Sequence, residues 1–402
     1  MKIYRVGGSV RDEILGIPVH DTDFVVVGAT VDDFMQRFPN ARKVGKSFPV
    51  FLVDGSEYAF ARKERKSGVG HCAFDVVADP DVTLEEDLKR RDLTINAIAK
   101  DLETGELIDP FGGAADIGKR LLRHVSPAFA EDPLRVYRVA RFAAKFPDFS
   151  VDGSTVSLMN SMAPELSSLS SERVWGECEK ALGSPGASRF FRVLKDAGLL
   201  SYHFREVEDL IGVPAGPVRY HPEGDTFNHT MDALDRLNAS GCRNPIVAFA
   251  VLCHDWGKAL TDPALYPKHH GHDIAGIPLI EAFFKRMKGM PAEYRKAAAI
   301  TAEFHMNVRY LREMHPKKAI RFILNISAFP GGIDGFFDSA KADFEGGIEE
   351  ERRYAKMFKP VFELSLPQEF RNLGKESGEK LMELRVRKFC EIREAVREPQ
   401  NS

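Results

Sequence analysis

The stretch VGGSVRDEILGIPVHDTDFVVVG occupies residues 6–28 and decides the reading of the fold. A short apolar run at 2–6 enters Gly7-Gly8, a candidate helix over 9–15 follows, and a second apolar run occupies 24–27. The pattern predicts strand, tight turn, helix and strand. Asp21 and Asp23 stand directly before the second run, where an unpaired buried charge is costly. On a strand, residues two apart point to one side, so both carboxylates are expected to face one point. With no Lys or Arg between them they suit a hard cation such as Mg²⁺. A D-x-D pair alone reads first as a turn or cap. Its context adds more. Gly7 and Gly8 let backbone N–H groups approach phosphate at a helix N-terminus, and Arg11 adds a charged donor. A phosphate cradle beside a carboxylate pair is what phosphoryl or nucleotidyl transfer requires. The pattern G-x-x-x-x-G-K-[ST] is absent, so this is not a P-loop.

The chain has 402 residues, more than one compact core holds, and its length predicts two to four domains. No secretory h-region and no apolar run near the ~20 residues of a membrane span is found. The five cysteines are scattered without a C-x-x-C, which predicts a reduced, cytoplasmic protein with no thiolate zinc site. A net charge of −3 means that a nucleic-acid partner needs local basic patches. Such patches lie at 62–66, 89–91 and 119–124, although any one of them reads first as solvated surface.

Further strands are expected at 50–53 and 58–61, and a helix over 83–100 opened by a Thr83/Glu86 capping box. These make residues 1–125 an α+β head. Beyond Glu131 the patterns are almost wholly helical, at 131–146 with Pro133 in the first turn, at 172–182 and at 188–200. The segment GVPAGP at 212–217 reads as a linker. Eight of the twelve histidines then fall between His221 and His315, which marks a separate module. Residues 346–402 read as an amphipathic helix and a polar tail.

G-G-x-V-R-D followed by D-x-D resembles the head of the class II nucleotidyltransferases, the superfamily of tRNA CCA-adding enzymes and bacterial poly(A) polymerases. Four further blocks match in order: RRDLTIN at 90–96, Asp109…Gly113…Asp116, EDPLRVYRVARF at 131–142, and SERVWGE at 171–177. The resemblance extends through the histidine-rich module, as in the proteobacterial multifunctional CCA enzymes. It implies an α+β nucleotidyltransferase head with a mixed sheet at 1–125 and a helical neck at 126–218 that templates the nucleotide and binds tRNA. An HD phosphohydrolase-like domain at 219–345 and a helical tail at 346–402 complete the expected order.

The resemblance further implies that Asp21 and Asp23 bind Mg²⁺ and catalyse addition of C, C and A to the tRNA 3′ end from CTP and ATP. Gly8, Arg11, Arg91, Asp92 and Asn96 would hold nucleotide, with Asp92 and Asn96 four apart on one helix face. By spacing alone Asp132 and Arg135 are an i, i+3 ion pair. The family assigns them the reading of the base, an acceptor and a donor that match cytosine and adenine but leave guanine and uracil unpaired. Arg138 and Arg141 would reach triphosphate or the RNA 3′ end. Arg62–Gly70, basic and with two glycines, corresponds to a mobile loop tied to the final A.

His229, His254-Asp255 at the end of an apolar run, His305 and Asp343 resemble the H…HD…D pattern of HD phosphohydrolases. The implied metal ligands are His229, His254, Asp255 and Asp343, and a divalent transition metal such as Ni²⁺ suits them. His305 is followed by Met306 and so lacks a second dipeptide, while His20-Asp21 and His272-Asp273 are set aside as HD motifs. The expected activity is 2′,3′-cyclic phosphodiesterase or phosphatase. Read without the family, the same histidines serve structure in a helical domain. The expected partner is the tRNA acceptor arm, with no membrane, and a monomer or homodimer stays open. Two rivals remain: a poly(A) polymerase, disfavoured because those enzymes usually carry a strongly basic tail, and an HD nucleotide phosphohydrolase with an inactive head.

Overall fold

A computed structural model of the chain describes residues 1–19, 21–44, 50–66, 74–78, 80–344 and 347–397. The chain divides into two compact units, one of Met1–Ala181 with Arg189–Tyr202, the other of Leu182–Ser188 with His203–Ser402.

The first unit opens on a seven-stranded mixed sheet. Its strands are β1 (Lys2–Val6), β2 (Asp23–Val27), β3 (Arg42–Val44), β4 (Val50–Val53) and β5 (Ser56–Phe60). A separate hairpin of β6 (Arg62–Lys66) and β7 (Phe74–Ala78) follows, and β8 (Ala99–Asp101) and β9 (Leu107–Ile108) complete the sheet in the order β3-β4-β5-β2-β1-β8-β9. Helices α1 (Gly8–Ile14), α2 (Val31–Arg37), α3 (Leu84–Lys89) and α4 (Gly113–Gly118) flank it. Period-2 alternation divides the apolar residues between the faces. Ile3 and Val26 pack with Phe34, Phe51 and Phe60 on one side, while Tyr4, Val6 and Val25 pack with Leu88, Ala97 and Ala99 on the other.

The antiparallel register pairs Lys2 with Val27 and Val6 with Asp23. The first carboxylate of β2 therefore sits beside the end of β1, one residue from Gly7-Gly8. Parallel pairing of β2 with β5 sets Glu57 opposite Asp23.

Several expectations need correction. The helix over 83–100 does not run that far. Its capping box is present, with Thr83 accepting from the Glu86 N–H, but α3 ends at Lys89, a 3₁₀ turn spans Thr94–Asn96, and β8 begins at Ala99. Asp21 lies outside β2, so the two carboxylates do not share a regular strand. The basic stretch at 62–66 is a paired strand, not a loop, and residues 67–70 lie outside the described residues, as do His20 and the polar tail at 398–402.

The neck carries β10 (Leu121–Leu122) and β11 (Ser150–Val151), paired in parallel, with helices α5 (Leu134–Lys145), α6 (Gly153–Ser161), α7 (Ala163–Leu166), α8 (Ser171–Leu182) and α9 (Ala187–Asp196). Helix α5 starts three residues later than its pattern, at Leu134, with Asp132 extended at φ −120°. Pro133 is the cause, because its ring disfavours helical geometry in the preceding residue.

The second unit is helical: α10 (Arg205–Glu208), α11 (Thr226–Ala239), α12 (Pro245–Cys253), α13 (His272–Arg286), α14 (Ala292–Phe304), α15 (Pro316–Ser327), α16 (Gly332–Lys341), α17 (Glu349–Met357), α18 (Lys359–Phe362) and α19 (Lys375–Arg397). Helix α12, PIVAFAVLC, is apolar all round and lies in the core, as such a helix must. The 212–217 segment is not an open linker. Val213 and Ala215 are buried, and the carbonyls of Pro214 and Ala215 accept from His269 and Lys258. No helix among the described residues is long and apolar enough to cross a membrane.

Candidate functional sites

In the first unit a cavity of about 560 Å³ opens where the head sheet meets α5. Nine basic side chains and three carboxylates line it, which gives it the electrostatics of a polyanion site. Asp23 lines it, with Gly7, Gly8 and Arg11; Asp21 is exposed beside Asp23. Burial raises the pKa of Asp23, Arg91 counters, and the Asp21 charge raises it further. Two like charges held together in an all-oxygen donor set fit a hard divalent cation.

The segment 90–96 is the hub of the cavity, and the tertiary structure pins it. The Thr94 N–H donates to the Arg123 carbonyl at 2.8 Å, the Thr94 hydroxyl donates to Asp116 at 2.5 Å, and Arg123 donates to Asp116 at 2.9 Å. Asp109 caps α4 by accepting from the N–H groups of Gly113 and Ala114 at 2.7 and 2.8 Å. The Asp109…Gly113…Asp116 block is thus the brace of the 90–96 turn. Gly113 is needed there because a Cβ would collide with the Thr94 carbonyl.

Within the hub one hydrogen-bond chain joins four expected residues. Arg11 donates to Asn96 Oδ1 at 2.5 Å, Asn96 donates to Asp92 Oδ1 at 3.0 Å, and Arg138 donates to Asp92 Oδ2 at 2.8 and 2.6 Å. Asp92 and Asn96 meet across a turn, not on a helix face. Burial opposes the Asp92 charge, but Arg138, Asn96 and the Leu93 N–H outweigh it and hold the carboxyl well below its usual range. Arg11 is buried, paired with Asp12 at 2.8 Å and set over Phe142 and Phe146 at 5.4 and 5.1 Å.

Arg91 donates to Asp87 at 3.1 Å, and Arg90 donates to the same carboxylate at 2.6 Å. The 89–91 patch is therefore not plain solvated charge. Asp132 and Arg135 do not form an ion pair. Asp132 accepts from the Leu134 N–H at 3.1 Å and faces Arg173 at 3.4 Å, while Arg135 donates to the carbonyls of Ala128 and Arg90, each at 2.6 Å. Arg141 pairs with Glu177 and lies 4.2 Å over the Phe142 ring. Spacing alone did not mark Asp87, Lys145 or Glu57. Asp87 stands four residues before Arg91, the one available signal, but Glu57 needed the strand register.

In the second unit the ends of four helices and the middle of α11 bring His229, His254, Asp255, His272, His305 and Asp343 together, and all of them but His254 line a cavity of about 480 Å³. His229 Nε2 lies 2.9 Å from Asp343, and His254 Nε2 lies 3.2 Å from Asp255. His272-Asp273 does not read as an HD motif, yet His272 Nε2 lies 3.2 Å from Asp255 Oδ1. Its side chain belongs to the cluster although Asp273 does not. His305, without a following Asp, belongs as well, its Nε2 at 3.8 Å from Asp255. Gly257 permits this closeness, since a Cβ would strike the His272 carbonyl.

Each imidazole is oriented from behind. The Nδ1 atoms of His254, His272 and His305 contact the carbonyls of Val251, His269 and Thr301 at 2.6, 2.7 and 3.0 Å, and His229 Nδ1 contacts Glu223 at 2.7 Å. Where the ring is neutral, an Nδ1 that donates leaves Nε2 as a lone pair, the state a metal ligand needs. Burial opposes charge on His254, but Asp255 and Asp343 outweigh it and raise its pKa to about 10, while burial and the charge on His254 push His305 down to about 4. Buried His254 Nε2, His272 Nε2 and Asp255 Oδ1 make no hydrogen bond. These orphaned atoms and the imidazole–carboxylate donor set fit a divalent transition cation.

Residues 3–123 match the model of the poly A polymerase head domain, and residues 148–211 match the model described as the probable RNA and SrmB-binding site of polymerase A. Among solved structures, an apo CCA-adding enzyme aligns with 96% of this chain and 88% of its own at TM-score 0.67 and 20% identity. The Bacillus stearothermophilus CCA-adding enzyme in complex with CTP aligns at 0.59 and 27% identity, over 91% of this chain and 81% of that one. The Thermotoga maritima CCA-adding enzyme complexed with tRNA aligns at 0.62 and 20% identity, over 98% and 90%. Over nearly all its length the chain is thus similar in fold to CCA-adding enzymes, and its head matches the poly A polymerase head domain.

Proposed function

We propose that this chain is a nucleotidyltransferase that adds C, C and A to the 3′ end of tRNA from CTP and ATP without a nucleic-acid template. The observation that carries the reading is the strand register that sets Asp23 beside Gly7-Gly8 at a cavity lined by nine basic side chains. Relatives solved with CTP and with tRNA support it.

Asp21 and Asp23 would hold Mg²⁺, which when bound supplies charge neutralisation at the triphosphate and a more acidic 3′-hydroxyl. The residues of the chain do the rest. Backbone N–H groups at Gly8 and the guanidinium groups of Arg11, Arg138 and Arg141 would donate to the phosphates, and Asp92 and Asn96 would hold the ribose. Asp132 offers an acceptor and Arg135 a donor to the pairing edge of the base. RNA is held by phosphate contact and shape, as an A-form duplex demands.

The second unit is proposed to be an HD-type phosphohydrolase acting on 2′,3′-cyclic or terminal phosphates. His229, His254, Asp255 and Asp343 would hold a divalent transition cation such as Ni²⁺, which when bound activates water against a phosphoester.

The test is incorporation of labelled CTP and ATP, with Mg²⁺, into tRNA that lacks its terminal CCA. Addition limited to C, C and A is expected. Long A tails would identify a poly(A) polymerase instead, and no incorporation would sink both readings.

A further inference from the structure

Two arginines border the histidine cavity of the second unit with no carboxylate to neutralise. We propose that Arg236 and Arg309 bind the free oxygens of a phosphomonoester in that cavity, so that the site takes terminal phosphates in preference to 2′,3′-cyclic ones. The proposal rests on the phosphohydrolase reading of this unit and narrows its substrate.

Both side chains line the cavity together with Asp343, and they straddle the segment that carries it. Arg236, on α11, donates through Nε to the Ala342 carbonyl at 2.7 Å. Arg309, in the 3₁₀ segment His305–Glu313, places its guanidinium carbon 4.3 Å from the centre of the Phe344 ring. Ala342 and Phe344 are the immediate neighbours of Asp343. A carbonyl and a ring face hold the two groups in place and leave their charge unspent. Among the described residues neither guanidinium pairs with a carboxylate.

The carboxylates of the wall are committed elsewhere. Asp343 faces His229 Nε2 at 2.9 Å and His254 Nε2 at 3.8 Å, and Glu223 faces the Nδ1 atoms of His221 and His229 at 2.9 and 2.7 Å. Asp255 Oδ2 takes Lys258 Nζ at 2.7 Å, and the same ammonium donates to the Ala215 carbonyl at 2.8 Å, so Lys258 is spent inside the wall. The two arginines therefore complement an anion that enters from solvent. Their place beside Asp343 puts that anion next to the cation which Asp343 is proposed to hold.

The forked N–H donors of a guanidinium match phosphate oxygens. Near neutral pH a phosphomonoester carries almost two negative charges and three free oxygens. A cation that takes one oxygen leaves two, one for each arginine. A 2′,3′-cyclic phosphate has one negative charge and two free oxygens, so the same cation leaves one, and one guanidinium faces nothing. The count of charges and oxygens favours the monoester.

The test uses the full chain carrying Asp21→Ala and Asp23→Ala, so that the head takes up no cation. It is loaded with Mn²⁺ below the chain concentration and titrated with inorganic phosphate while the ³¹P linewidth is followed. Saturable broadening is expected, because phosphate then lies beside the cation of the second unit. Arg236→Gln and Arg309→Gln should each move the midpoint to about tenfold higher phosphate, and Arg236→Lys and Arg309→Lys should fall between. Midpoints unchanged in both Gln variants overturn the role of the arginines. In parallel, the parent should hydrolyse a nucleoside 3′-monophosphate with a kcat/KM about tenfold above that for the 2′,3′-cyclic nucleotide, and the double Gln variant should lose that preference. A parent that prefers the cyclic nucleotide overturns the choice of substrate. Bound Mn²⁺ without broadening overturns the phosphate site and leaves the metal-dependent reading standing, whereas Mn²⁺ that stays free in the electron paramagnetic resonance spectrum overturns that reading itself. The parent's linewidth and selectivity decide the matter even if an arginine variant does not fold.

Discussion

Asp92 shows how much one residue carries. It is buried, and both of its oxygens are occupied by Arg138, Asn96 and the Leu93 N–H. Its carboxyl is held well below the usual range, so the folded state favours the ionised form more than the unfolded chain does. That stability is fully present above the unfolded value, about 3.9, and is lost as pH falls below it. Acid titration of the thermal midpoint should show a decline that begins near pH 4, and Asp92→Asn should flatten part of it. An unchanged acid limb in the variant would show that Asp92 contributes no pH dependence. Asp132 makes a different point. The helix expected from 131 begins only at Leu134, because Pro133 keeps Asp132 extended, and its partner Arg173 lies 41 residues away where no local signal reaches.

At the element scale, the turn at 90–96 is set by close contact. Helix α4 approaches Thr94 because Gly113 has no side chain. Gly113→Ala should cost about 1–3 kcal/mol, the usual range for overpacking, read as a lower urea midpoint. Gly118→Ala in the same helix meets nothing within 4 Å and should change the midpoint little. Equal midpoints for the two variants would show that the contact yields at no cost. Hairpin β6–β7 belongs to this scale as well. Its first N–H, from Arg62, reaches Asp87 at 3.4 Å, and Asp87 also receives Arg90 and Arg91. Asp87→Asn should therefore raise the KM for nucleotide about tenfold, with kcat falling less, in the incorporation assay. A change confined to thermal stability would make Asp87 purely structural.

At the scale of the molecule, each cavity is built within one unit, the Asp23 cavity in the first and the histidine cavity in the second. Asp23→Ala should abolish nucleotide addition, by 10³-fold or more, and leave phosphohydrolysis within twofold. His254→Ala should do the reverse. Loss of both activities in either variant would contradict two separate sites.

The sequence by itself determined the elements whose signals are local. Strand β1, the Thr83/Glu86 cap and the apolar run of α12 were legible, because periodicity and capping act within a few residues. It misjudged the helix over 83–100, because the pattern after Lys89 is overridden by bonds from Arg123 and Asp116. Only the tertiary structure decided that Asp23 stands beside the glycine turn and opposite Glu57, that Arg135 is held by two carbonyls, and that His272 and His305 join Asp255. Those facts depend on strand register and on helix ends brought together from distant parts of the chain, and spacing along the sequence carries no information about either.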